Sequence, residues 1–454
     1  MPSKVITRFP PSPTGFLHIG SVRTALFNYL FAAHNKGVML LRFEDTDKER
    51  NKLEFEKDIV DGLRWLGIPY TLAENPRQSE RTAIYQKYIP KLIADGHAYE
   101  AEPQAEHPDK KVVRFKNPNK KITFHDAIRG EITFDTTELS DFVIARNIDE
   151  PLYHLAVVID DHDMGVTHII RGEDHVSNTQ RQILIQEALG FVRPQYAHIP
   201  LILAPDKTKM SKRHGAVSIN EYKTQGYLPE ALINYLALLG WNPGLPAGGQ
   251  GGERELYTLT ELAELFTLER VHKAGAVFGT EKLQWFNHEH LKKLSDAEYF
   301  SRLQEFMGRS DFPRIGKVRP SQTPDAQLIP LLKERAKTLK EAADMLEAEL
   351  GFLGNISYEP GLLLHNGKIE SEVASNHLKA LAELLHPIPD EGFTAAQLKD
   401  IIWPYATSQG KGAVLWPLRV ALSGKDKSPD PFTIMGLIGK ECALARIASA
   451  LEKL

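Results

Sequence analysis

Cysteine is nearly absent from the sequence, which contains one, Cys442, among 454 residues. A single cysteine excludes an internal disulfide framework and any zinc or iron–sulfur site built from several thiolates. The sequence also lacks an apolar run of about 18 residues, the length that crosses a bilayer as a helix. Its charged first segment, MPSKVITRF, lacks the apolar core of a secretory signal peptide. These absences predict a cytoplasmic protein that does not bind a membrane.

An excess of charge of one sign is lacking as well: 55 Lys and Arg stand against 59 Asp and Glu, for a net charge of −4 at pH 7. This balance gives the surface no general attraction for nucleic acid, but it does not exclude a local basic patch. The composition, 42% hydrophobic and 25% charged, is that of an ordinary globular protein. At about 100–200 residues per domain, the length predicts roughly three domains.

The first part of the sequence has the pattern of a strand, a helix and a second strand. Val5–Phe9 is β-prone, Gly20–Asn35 carries apolar residues at helical spacing, and Val38–Phe43 is a second apolar run. Gly37 follows the predicted helix and is expected to end it in the left-handed conformation. A unit of this size predicts a doubly wound parallel sheet of the Rossmann type, with its ligand at the carboxyl ends of the strands.

The segment from Pro76 to Glu150 differs from its flanks and is predicted to be an α+β insert. It holds a basic stretch, Lys110–Lys121, and a strand-like stretch, Gly130–Phe134. The apolar pattern then resumes in two predicted strands and a helix: Tyr153–Ile159, Thr167–Ile170 and Asn178–Leu189. The nucleotide-type fold is therefore expected to be split in sequence by the insert.

Beyond Ser218 the periodicity is mainly helical, with long predicted helices at Ala326–Leu353 and Gly436–Leu454. The glycine-rich segment Gly244–Gly252 follows no predicted strand, so we interpret it as a loop rather than as a phosphate site. The predicted architecture is multidomain: an α/β Rossmann-type domain, an insert, and α-helical domains.

The segment RFPPSPTGFLHIGS, Arg8 to Ser21, joins the first predicted strand to the first helix. It holds His18 close to the positive end of the helix dipole, and Gly20 leaves room beside the ring. An imidazole at that position can donate a hydrogen bond to phosphate oxygens that gain charge, without any covalent nucleophile. The alternative is a loop histidine packed against Pro11 or Phe16.

A second motif, KMSKR, occupies Lys209–Arg213 and concentrates several cations in a few residues. It can be a solvated charged loop. It can also supply mobile ammonium groups that close over a triphosphate as pyrophosphate leaves.

HIGS and KMSKR on an interrupted nucleotide fold resemble the two signatures of class I aminoacyl-tRNA synthetases, in which both loops grip ATP. Four longer stretches are similar to bacterial-type glutamyl-tRNA synthetases: RFPPSPTGFLHIGSVRTALFNYLFA, LRFEDTDKER, VIDDHDMGVTHIIRGEDHVSNTQRQ and DKTKMSKRHGAVSINEYKTQGYLPEALINYLALLGW. Further on, GAVFGTEKLQWFN, RAKTL and LWPLRVALSG resemble the helical tRNA-binding domains of the same family. The resemblance covers nearly the whole chain.

The resemblance implies a division into five parts and a function. The first half of the Rossmann catalytic domain is expected at residues 1–75, the acceptor-binding insert at 76–150, and the second catalytic half with the KMSKR loop at 151–217. A helical stem-contact domain at 218–320 and a helical anticodon-binding domain at 321–454 are expected to follow. The implied activity is ATP-dependent attachment of L-glutamate to the 3′ end of tRNA(Glu) through a glutamyl adenylate, by a monomer that uses Mg²⁺ with its ATP. Charging of tRNA(Gln) stays open.

Three other functions remain to be weighed against this one. A tRNA-modifying glutamyl transferase would lack the long helical C-terminal part. A glutaminyl-specific relative would carry β-barrel anticodon domains. A catalytically inactive paralogue that only binds tRNA would be expected to have lost the residues of the two signatures.

The resemblance also implies the site residues. The implied glutamate pocket consists of Arg8, Ser12, Glu44, Tyr153 and Arg171. The implied ATP contacts are His18, Gly20, Lys209 and Lys212, and the implied catalytic groups are His18, Lys209, Ser211 and Lys212. A guanidinium fits a carboxylate through two hydrogen bonds, so either arginine suits the substrate's side-chain carboxylate. Alternatively, Arg8 and Arg171 form structural ion pairs with Glu44, Asp45 or Glu173.

The aspartates of EDTD and DDHD resemble paired metal carboxylates. Turns at strand ends and helix caps are the simpler explanation of Asp160, Asp161 and Asp163, so we predict no protein metal ligand. Val157 lies where some family members place a polar residue in the pocket, which predicts one hydrogen bond fewer here.

Contacts to tRNA are predicted in two regions. The basic stretch Lys110–Lys121 is expected to face the acceptor end. Residues expected near the anticodon are Arg335, Lys337, Lys340, Trp403, Lys411, Trp416 and Arg419. A solvated helix face and a core tryptophan are the alternatives.

Many relatives carry a cysteine-rich zinc knuckle in the acceptor-binding insert, and this sequence departs from that pattern. Here His97–Asp109 contains no cysteine and runs directly into KKVVRFK. Its possible ligands are His97, Glu100, Glu102, Glu106 and His107, a poor set for structural zinc. The shortened arm is instead expected to be held by pairing of the VVRFK and EITF strands.

We therefore predict that the purified protein contains no stoichiometric zinc by elemental analysis. Charging activity should also be unchanged after treatment with a zinc-selective chelator in excess Mg²⁺, because no thiolate ligands are present in the insert. One tightly bound zinc per chain, with activity lost on its removal, would contradict the prediction.

Overall fold

A computed structural model describes residues 4–47, 49–101, 112–210, 218–244, 254–308, 328–350, 352 and 356–454. The chain forms two compact units, Met1–His290 and Leu291–Leu454. This division is coarser than the five-part division expected from the sequence, which stays a prediction.

The first unit begins with the predicted strand, helix and strand. Its first elements are β1 (Ile6–Phe9), α1 (Ile19–His34), β2 (Val38–Phe43), α2 (Leu53–Leu66) and β3 (Thr71–Arg77). The three strands are parallel in the order β1-β2-β3. Helix α1 buries Val22, Leu26 and Leu30 completely, because these residues share the face that packs on the core. The sheet and this helix form the frame of the first unit.

Gly37 does not have the left-handed conformation predicted for it. That conformation belongs to Lys36, with φ of 56°. Glycine is needed at position 37 for space, since a Cβ there would lie 2.1 Å from the carbonyl oxygen of Val5. The close approach lets Val38 donate its N–H to the same carbonyl at 3.0 Å and begin the pairing of β2 with β1.

The segment after β3 contains one helix and several short strands: α3 (Thr82–Ala94), β4 (Ala98–Ala101), β5 (Val112–Phe115), β6 (Lys121–Asp126), β7 (Gly130–Asp135), β8 (Phe142–Asn147) and β9 (Glu150–Pro151). One antiparallel sheet has the order β4-β5-β8-β9, and β6 pairs with β7. The predicted pairing of VVRFK with EITF is therefore wrong. A turn of three residues closes the β6–β7 hairpin, and Asp126 Oδ1 fixes it by accepting from the N–H groups of Ile128 (3.0 Å) and Arg129 (2.9 Å).

The chain then returns to the parallel layer through α4 (Tyr153–Asp163), β10 (His168–Gly172), α5 (Val176–Leu189), β11 (Gln195–Ile199) and β12 (Ile202–Leu203). The strand predicted at Tyr153–Ile159 is wrong, because these residues form the first turns of α4. An apolar run of this length does not distinguish a buried strand from a helix that is buried on most sides. Every residue from Leu155 to Asp161 is buried, which accounts for the missing helical periodicity.

The second sheet has the order β10-β11-β6-β7, so the β6–β7 hairpin of the predicted insert extends the layer formed by the later strands. The two sheets meet at Thr167, whose N–H donates to the Ile6 carbonyl oxygen at 2.9 Å and whose Oγ1 accepts from the Ile6 N–H at 2.9 Å. Strands distant in sequence thus lie side by side, and their carboxyl ends share one edge.

The remainder of the first unit is mainly helical: α6 (Ile219–Thr224), α7 (Pro229–Leu238), α8 (Leu259–Leu265), β13 (Ala276–Val277) and α9 (Thr280–Lys293), the last of which runs past the unit boundary. Strand β13 pairs in parallel with β12. Helix α8 begins at a capping box in which Thr258 and Glu261 each satisfy the other's backbone N–H. All of the predicted glycine loop except Gly244 lies outside the described residues.

The described part of the second unit is helical: α10 (Asp296–Met307), α11 (Leu328–Arg335), α12 (Leu339–Leu350), α13 (Pro360–Leu363), α14 (Ser371–Leu385), α15 (Ala395–Gln409), α16 (Lys411–Ser423), α17 (Pro431–Ile438) and α18 (Lys440–Leu451). Two long predicted helices are each interrupted. Thr338 Oγ1 accepts from the Glu341 N–H at 3.1 Å at the start of α12, and Gly439 separates α17 from α18 with φ of 77°. Within the described residues, no helix is both long and apolar enough to span a membrane.

We predict that Gly37→Ala lowers the free energy of unfolding of the first unit by about 2 kcal/mol, because a methyl group there must displace the β1 backbone. Gly279→Ala is the control, since a Cβ at that position meets Lys282 at an ordinary 3.8 Å. Urea unfolding followed by circular dichroism measures both variants, and equal stabilities would contradict the prediction.

Candidate active site

A cavity of about 1000 Å³ opens at the carboxyl ends of β1 and β10. The predicted residues that line it are Arg8, Ser12, His18, Gly20, Glu44, Tyr153, Arg171 and Lys209. The fold therefore brings together residues from both sides of the insert. Ser211 and Lys212 lie outside the described residues.

His18 caps the N-terminus of α1. Its Nδ1 accepts from the Ser21 N–H at 3.3 Å, and its Nε2 lies 2.9 Å from Ser21 Oγ. Its enclosure in the cavity, together with the nearby charge of Lys209, lowers the pKa of the ring. The lowered pKa favours the neutral ring at pH 7. Because Nδ1 accepts from the backbone, the ring proton then lies on Nε2, where Ser21 Oγ accepts it. The alternative of a histidine that only packs against Pro11 or Phe16 does not describe this arrangement.

Lys209 reaches the cavity from a hairpin that begins at β12. Met210 donates its N–H to the Ile202 carbonyl oxygen at 3.1 Å, and Lys207 occupies the turn with φ of 65°. The Lys209 side chain is 66% exposed, and its Nζ lies 3.3 Å from Asp174 Oδ2. An exposed ammonium with a single weak partner is free to exchange that partner for a phosphate.

The backbone beyond the second motif returns to the first one. Ser218 forms an antiparallel bridge with His18, and the Ile219 N–H donates to the Leu17 carbonyl oxygen at 3.0 Å. Asp58 supports both segments, because it accepts from the Leu17 N–H at 2.7 Å and from Asn220 Nδ2 at 2.5 Å. Lys209 and Met210 of the second motif, together with Ser218 and Asn220 beyond it, thus line the same cavity as the first motif.

Arg8 forms a buried ion pair, but its partner is Asp161 rather than any of the acids considered from the sequence. Its Nε lies 3.3 Å from both carboxylate oxygens. Arg42 contacts the same carboxylate at 2.9 Å and reaches Glu44 Oε1 at 3.3 Å. The guanidinium end of Arg8 has no hydrogen bond to any described residue, so it remains available to a ligand in the cavity.

Asp160 lies one residue earlier and anchors a second arginine. Its carboxylate accepts from Arg81 Nε at 2.8 Å, from Gln78 Nε2 at 2.8 Å and from the Tyr85 hydroxyl at 3.0 Å. The interpretation of Asp160 and Asp161 as cap or turn residues is wrong, because both are buried inside α4 as partners of arginines. Asp163, at the last position of α4, accepts from Arg81 Nη2 at 2.5 Å.

Glu44 is 8% exposed and faces the cavity. Burial raises the pKa of its carboxyl to about 7, although Arg42 and Arg8 act in the opposite direction. A carboxyl with this pKa changes its charge near neutral pH, and a bound cation would favour its ionised form.

Arg171 differs from Arg8 and Arg42 because no described carboxylate lies within 4.0 Å of its guanidinium. Its partners are neutral: Gln182 Oε1 at 2.8 Å, Thr179 Oγ1 at 2.7 Å, His198 Nε2 at 3.0 Å and the His175 carbonyl oxygen at 3.4 Å. Burial lowers the pKa of Arg171, so leaving this cation unpaired costs free energy that an anionic ligand would recover. Pairing of Arg171 with Glu44, Asp45 or Glu173 is not observed.

The other residues predicted for the pocket differ in burial and in whether they line the cavity. Burial raises the pKa of Tyr153, and its hydroxyl lies 3.3 Å from His175 Nδ1. Ser12 is exposed at the cavity wall. Val157 is buried in a hydrophobic cluster of the first unit and does not line the cavity. A missing hydrogen bond between this residue and a ligand is therefore not explained by direct contact.

The lysines and tryptophans predicted to contact tRNA differ in their exposure and in the residues they contact. Lys110 and Lys111 lie outside the described residues, and Lys120 pairs with Glu187 at 2.7 Å. In the second unit, Trp416 donates from Nε1 to the Leu362 carbonyl oxygen at 2.8 Å, which indicates a packing role. Trp403 is 37% exposed, and Lys411 Nζ lies 4.3 Å from its ring centroid. Trp403 is the better of the two for stacking on a base.

The described residues contain no group of three or more His, Cys, Asp or Glu side chains that could hold a metal ion. Most of the segment with the possible zinc ligands, His97–Asp109, lies outside them, because residues 102–111 are not described. The absence of zinc therefore stays a prediction.

Several buried residues that support the site were missed in the sequence. Arg42 belongs to the stretch LRFEDTD, but nothing in its spacing assigns it a partner. Asp126 and His198 belong to no motif, and the residue-by-residue pattern around them is that of ordinary strands. Asp161 was noticed only as a possible cap or metal ligand.

Two family models match the chain. The catalytic domain of class I tRNA synthetases (E and Q) matches residues 4–109 and 100–285. An anticodon-binding domain matches residues 280–451. Both matches agree with the cavity at the strand ends and with the helical second unit. The chain belongs to the class I tRNA synthetase family, whose members use ATP.

Curated relatives narrow the family further. A glutamate–tRNA ligase from Carboxydothermus hydrogenoformans is 40% identical, with 98% of this chain and 99% of the relative covered. One from Aquifex aeolicus is 39% identical over the whole of both chains. A solved glutamate tRNA ligase from Elizabethkingia meningosepticum, in complex with its amino acid, has a TM-score of 0.77 at 32% identity and covers 99% of each chain. Within the class I family, the chain groups with the glutamate–tRNA ligases, which confirms the resemblance and the multidomain fold expected from the sequence.

The pKa of Glu44 predicts a dependence of stability on pH. A carboxyl whose folded pKa of about 7 lies above its unfolded value near 4.5 binds its proton more tightly in the folded state. The stability of the wild type should therefore fall, relative to that of Glu44→Gln, as the pH rises through this interval. We expect a change of about 3 kcal/mol in the difference between their free energies of unfolding from pH 5 to pH 8.

Urea unfolding at each pH measures this difference, and a second variant, Glu230→Gln on the first turn of α7, controls for general effects of removing an acid. A difference between wild type and Glu44→Gln that stays constant with pH would contradict the raised pKa.

Proposed function

We infer that this chain attaches L-glutamate to the 3′ end of tRNA(Glu) at the expense of ATP, through a glutamyl-adenylate intermediate. The observation that carries this inference is the cavity that joins a buried, unpaired guanidinium, Arg171, to an imidazole at a helix N-terminus, His18. The first group suits an acidic side chain, and the second suits a phosphate that gains charge.

Arg171 takes the substrate's side-chain carboxylate in this proposal. None of the acids that the structure describes pairs with its charge, and an anionic ligand supplies a partner. Arg8 is already paired with Asp161, so its guanidinium end assists rather than provides the main charge. Glu44 receives the α-ammonium group, with Ser12 beside it, and Tyr153 forms a wall that can also donate a hydrogen bond.

ATP occupies the part of the cavity near α1. In the first step, an oxygen of the glutamate α-carboxylate attacks the α-phosphorus, and pyrophosphate leaves. His18 donates to a phosphate oxygen as charge develops, and Gly20 leaves space beside its ring, since a Cβ there would lie 3.1 Å from the imidazole. Lys209 exchanges Asp174 for a phosphate oxygen. Ser211 and Lys212 complete the loop in this proposal, although they lie outside the described residues.

In the second step, a hydroxyl of the terminal ribose of tRNA attacks the glutamyl carbonyl carbon, and AMP leaves. No enzyme nucleophile takes part in either step, so catalysis consists of positioning and of charge stabilisation. Mg²⁺ bound with the ATP substrate would offset the negative charge of its phosphates. No protein ligand is proposed for it, and no zinc is part of the proposal.

The remaining parts of the proposal concern the setting of the enzyme. We propose a monomer that acts in the cytoplasm. The anticodon-binding match over residues 280–451 argues against a shorter tRNA-modifying transferase built from the catalytic half alone. The helical character of the described second unit argues against the β-barrel anticodon domains expected of a glutaminyl-specific relative.

The proposal is tested by ATP–pyrophosphate exchange with and without tRNA, using glutamate or glutamine, followed by charging of transcripts of tRNA(Glu) and tRNA(Gln). Glutamate-dependent exchange and charging of tRNA(Glu) are expected. Absence of both, with tRNA binding retained, would identify an inactive paralogue. Charging of tRNA(Gln) in addition would define a broader tRNA specificity.

We predict that His18→Ala lowers the rate of glutamate activation by about 10²–10³-fold, because the lost donor acts on charge that develops only in the transition state. The affinity for tRNA should be nearly unchanged. Pre-steady-state adenylate formation measures the first quantity and a filter-binding assay the second. An unchanged activation rate would exclude the proposed phosphate role.

A further inference from the structure

A chain of buried hydrogen bonds lies behind Arg171 and crosses three neighbouring strands of the second sheet. Asp126 on β6 accepts from His198 Nδ1 on β11 at 2.6 Å. The other ring nitrogen, His198 Nε2, lies 3.0 Å from Arg171 Nε on β10. Asp126 and His198 are fully buried, and neither lines the cavity. These two residues therefore act on the cavity through Arg171.

The direction of these hydrogen bonds fixes the tautomer of the histidine. A guanidinium Nε only donates, so His198 Nε2 must be the acceptor and Nδ1 must carry the proton that goes to Asp126. Burial, against the opposing effect of Asp126, lowers the pKa of His198 and keeps the ring neutral. Burial alone would raise the pKa of Asp126, but hydrogen bonds from His198 and the turn backbone hold it below its usual value.

This arrangement orients Arg171 without neutralising it. The carboxylate of Asp126 is separated from the guanidinium by the width of an imidazole, and the other contacts of Arg171 are neutral. By contrast, Arg8, Arg42 and Arg81 each contact a carboxylate directly. A carboxylate in the place of His198 would pair with Arg171 and balance its charge. Arg171 would then no longer bind an anionic ligand more tightly than a neutral amide.

We propose that Asp126 and His198 are positioning residues that hold Arg171 as an oriented, unpaired cation and thereby set the preference for glutamate over glutamine. This inference rests on the proposed function, in which Arg171 binds the substrate's side-chain carboxylate. Four N–H groups of Arg171 have acceptors in the protein, so one of its five remains for the ligand, and the weak contact to the His175 carbonyl oxygen at 3.4 Å can yield a second.

Asp126→Asn tests the tautomer. The amide oxygen can still accept from the Ile128 and Arg129 N–H groups, while the amide nitrogen donates toward His198. Nδ1 of His198 must then accept, and the proton moves to Nε2, where it opposes the Nε–H of Arg171. We expect kcat/KM for glutamate to fall about 10–100-fold through KM, with the KM for ATP changed less than twofold.

Two variants at position 198 separate a positioning role from simple packing. His198→Gln can accept from Arg171 and donate to Asp126, so it should retain most of the affinity for glutamate. His198→Leu offers no acceptor and should raise the KM for glutamate at least as much as Asp126→Asn does. The double variant Asp126→Asn, His198→Glu keeps the total charge but moves the carboxylate next to Arg171, and it should lower the preference for glutamate over glutamine at least tenfold.

Tyr196→Phe is the matched control. Tyr196 lies on β11 like His198, and the substitution removes its buried hydrogen bond to Gln186 on α5, at 3.0 Å, without removing any hydrogen bond of Arg171. ATP–pyrophosphate exchange with glutamate and with glutamine, the melting temperature and tRNA binding are measured for every variant of the full chain. The control should lower the melting temperature without changing the KM for glutamate.

Arg171→Lys separates failure of this inference from failure of the proposed function. It should raise the KM for glutamate and leave that for ATP nearly unchanged. If the wild type is inactive, or if Arg171→Lys leaves the KM for glutamate unchanged, the proposed function or its assignment of Arg171 is wrong. If Arg171→Lys behaves as expected but His198→Leu and Asp126→Asn behave like Tyr196→Phe, the positioning role alone is overturned.

Discussion

Pairing of buried arginines with carboxylates is the constraint on which the catalytic unit depends. Arg8 on β1 and Arg42 on β2 share Asp161 on α4, and Arg42 also contacts Glu44 at the cavity. Each charge is costly to bury alone, and removing one partner of such a pair typically destabilises a protein by about 3–5 kcal/mol. The network therefore holds the two strands against a helix that follows the insert, and it presents the free end of Arg8 to the cavity.

The same cost of burying an unpaired charge explains why Arg171 is suited to bind an anion. This guanidinium is buried among neutral acceptors, and the nearest acid in its hydrogen-bonded chain, Asp126, acts through His198. The cavity thus combines one arginine whose charge is already balanced with another whose charge awaits a ligand. His18 and Lys209 line the same cavity, and in our proposal they hold the triphosphate of ATP. Under that proposal, one cavity offers separate groups to an acidic amino acid and to ATP.

Eight of the residues that line the cavity were predicted from the sequence, most of them because they belong to short motifs or family-like stretches. His18 stands in HIGS, Lys209 in KMSKR, and Arg8, Glu44 and Arg171 in stretches that resemble a known family. The supporting residues were not predictable, since Arg8 and Asp161 are separated by 153 positions and Asp126 and His198 by 72. The secondary-structure prediction failed at Tyr153–Ile159, where burial on most sides hides the helical periodicity. The strand-pairing prediction failed at β7, which pairs with its neighbour β6 and not with the more distant VVRFK strand.

The sequence by itself determined the first strand–helix–strand unit, the helical character of the described second unit, the two nucleotide-binding motifs and the family, because these depend on local periodicity and on residue types at fixed short spacing. Only the tertiary structure decided which acid pairs with Arg8, why Gly37 must be glycine, and which arginine keeps an unpaired charge. Ion pairs and close approaches of this kind are set by distances between elements far apart in the chain and by their exclusion from water, and a linear pattern records neither of these quantities.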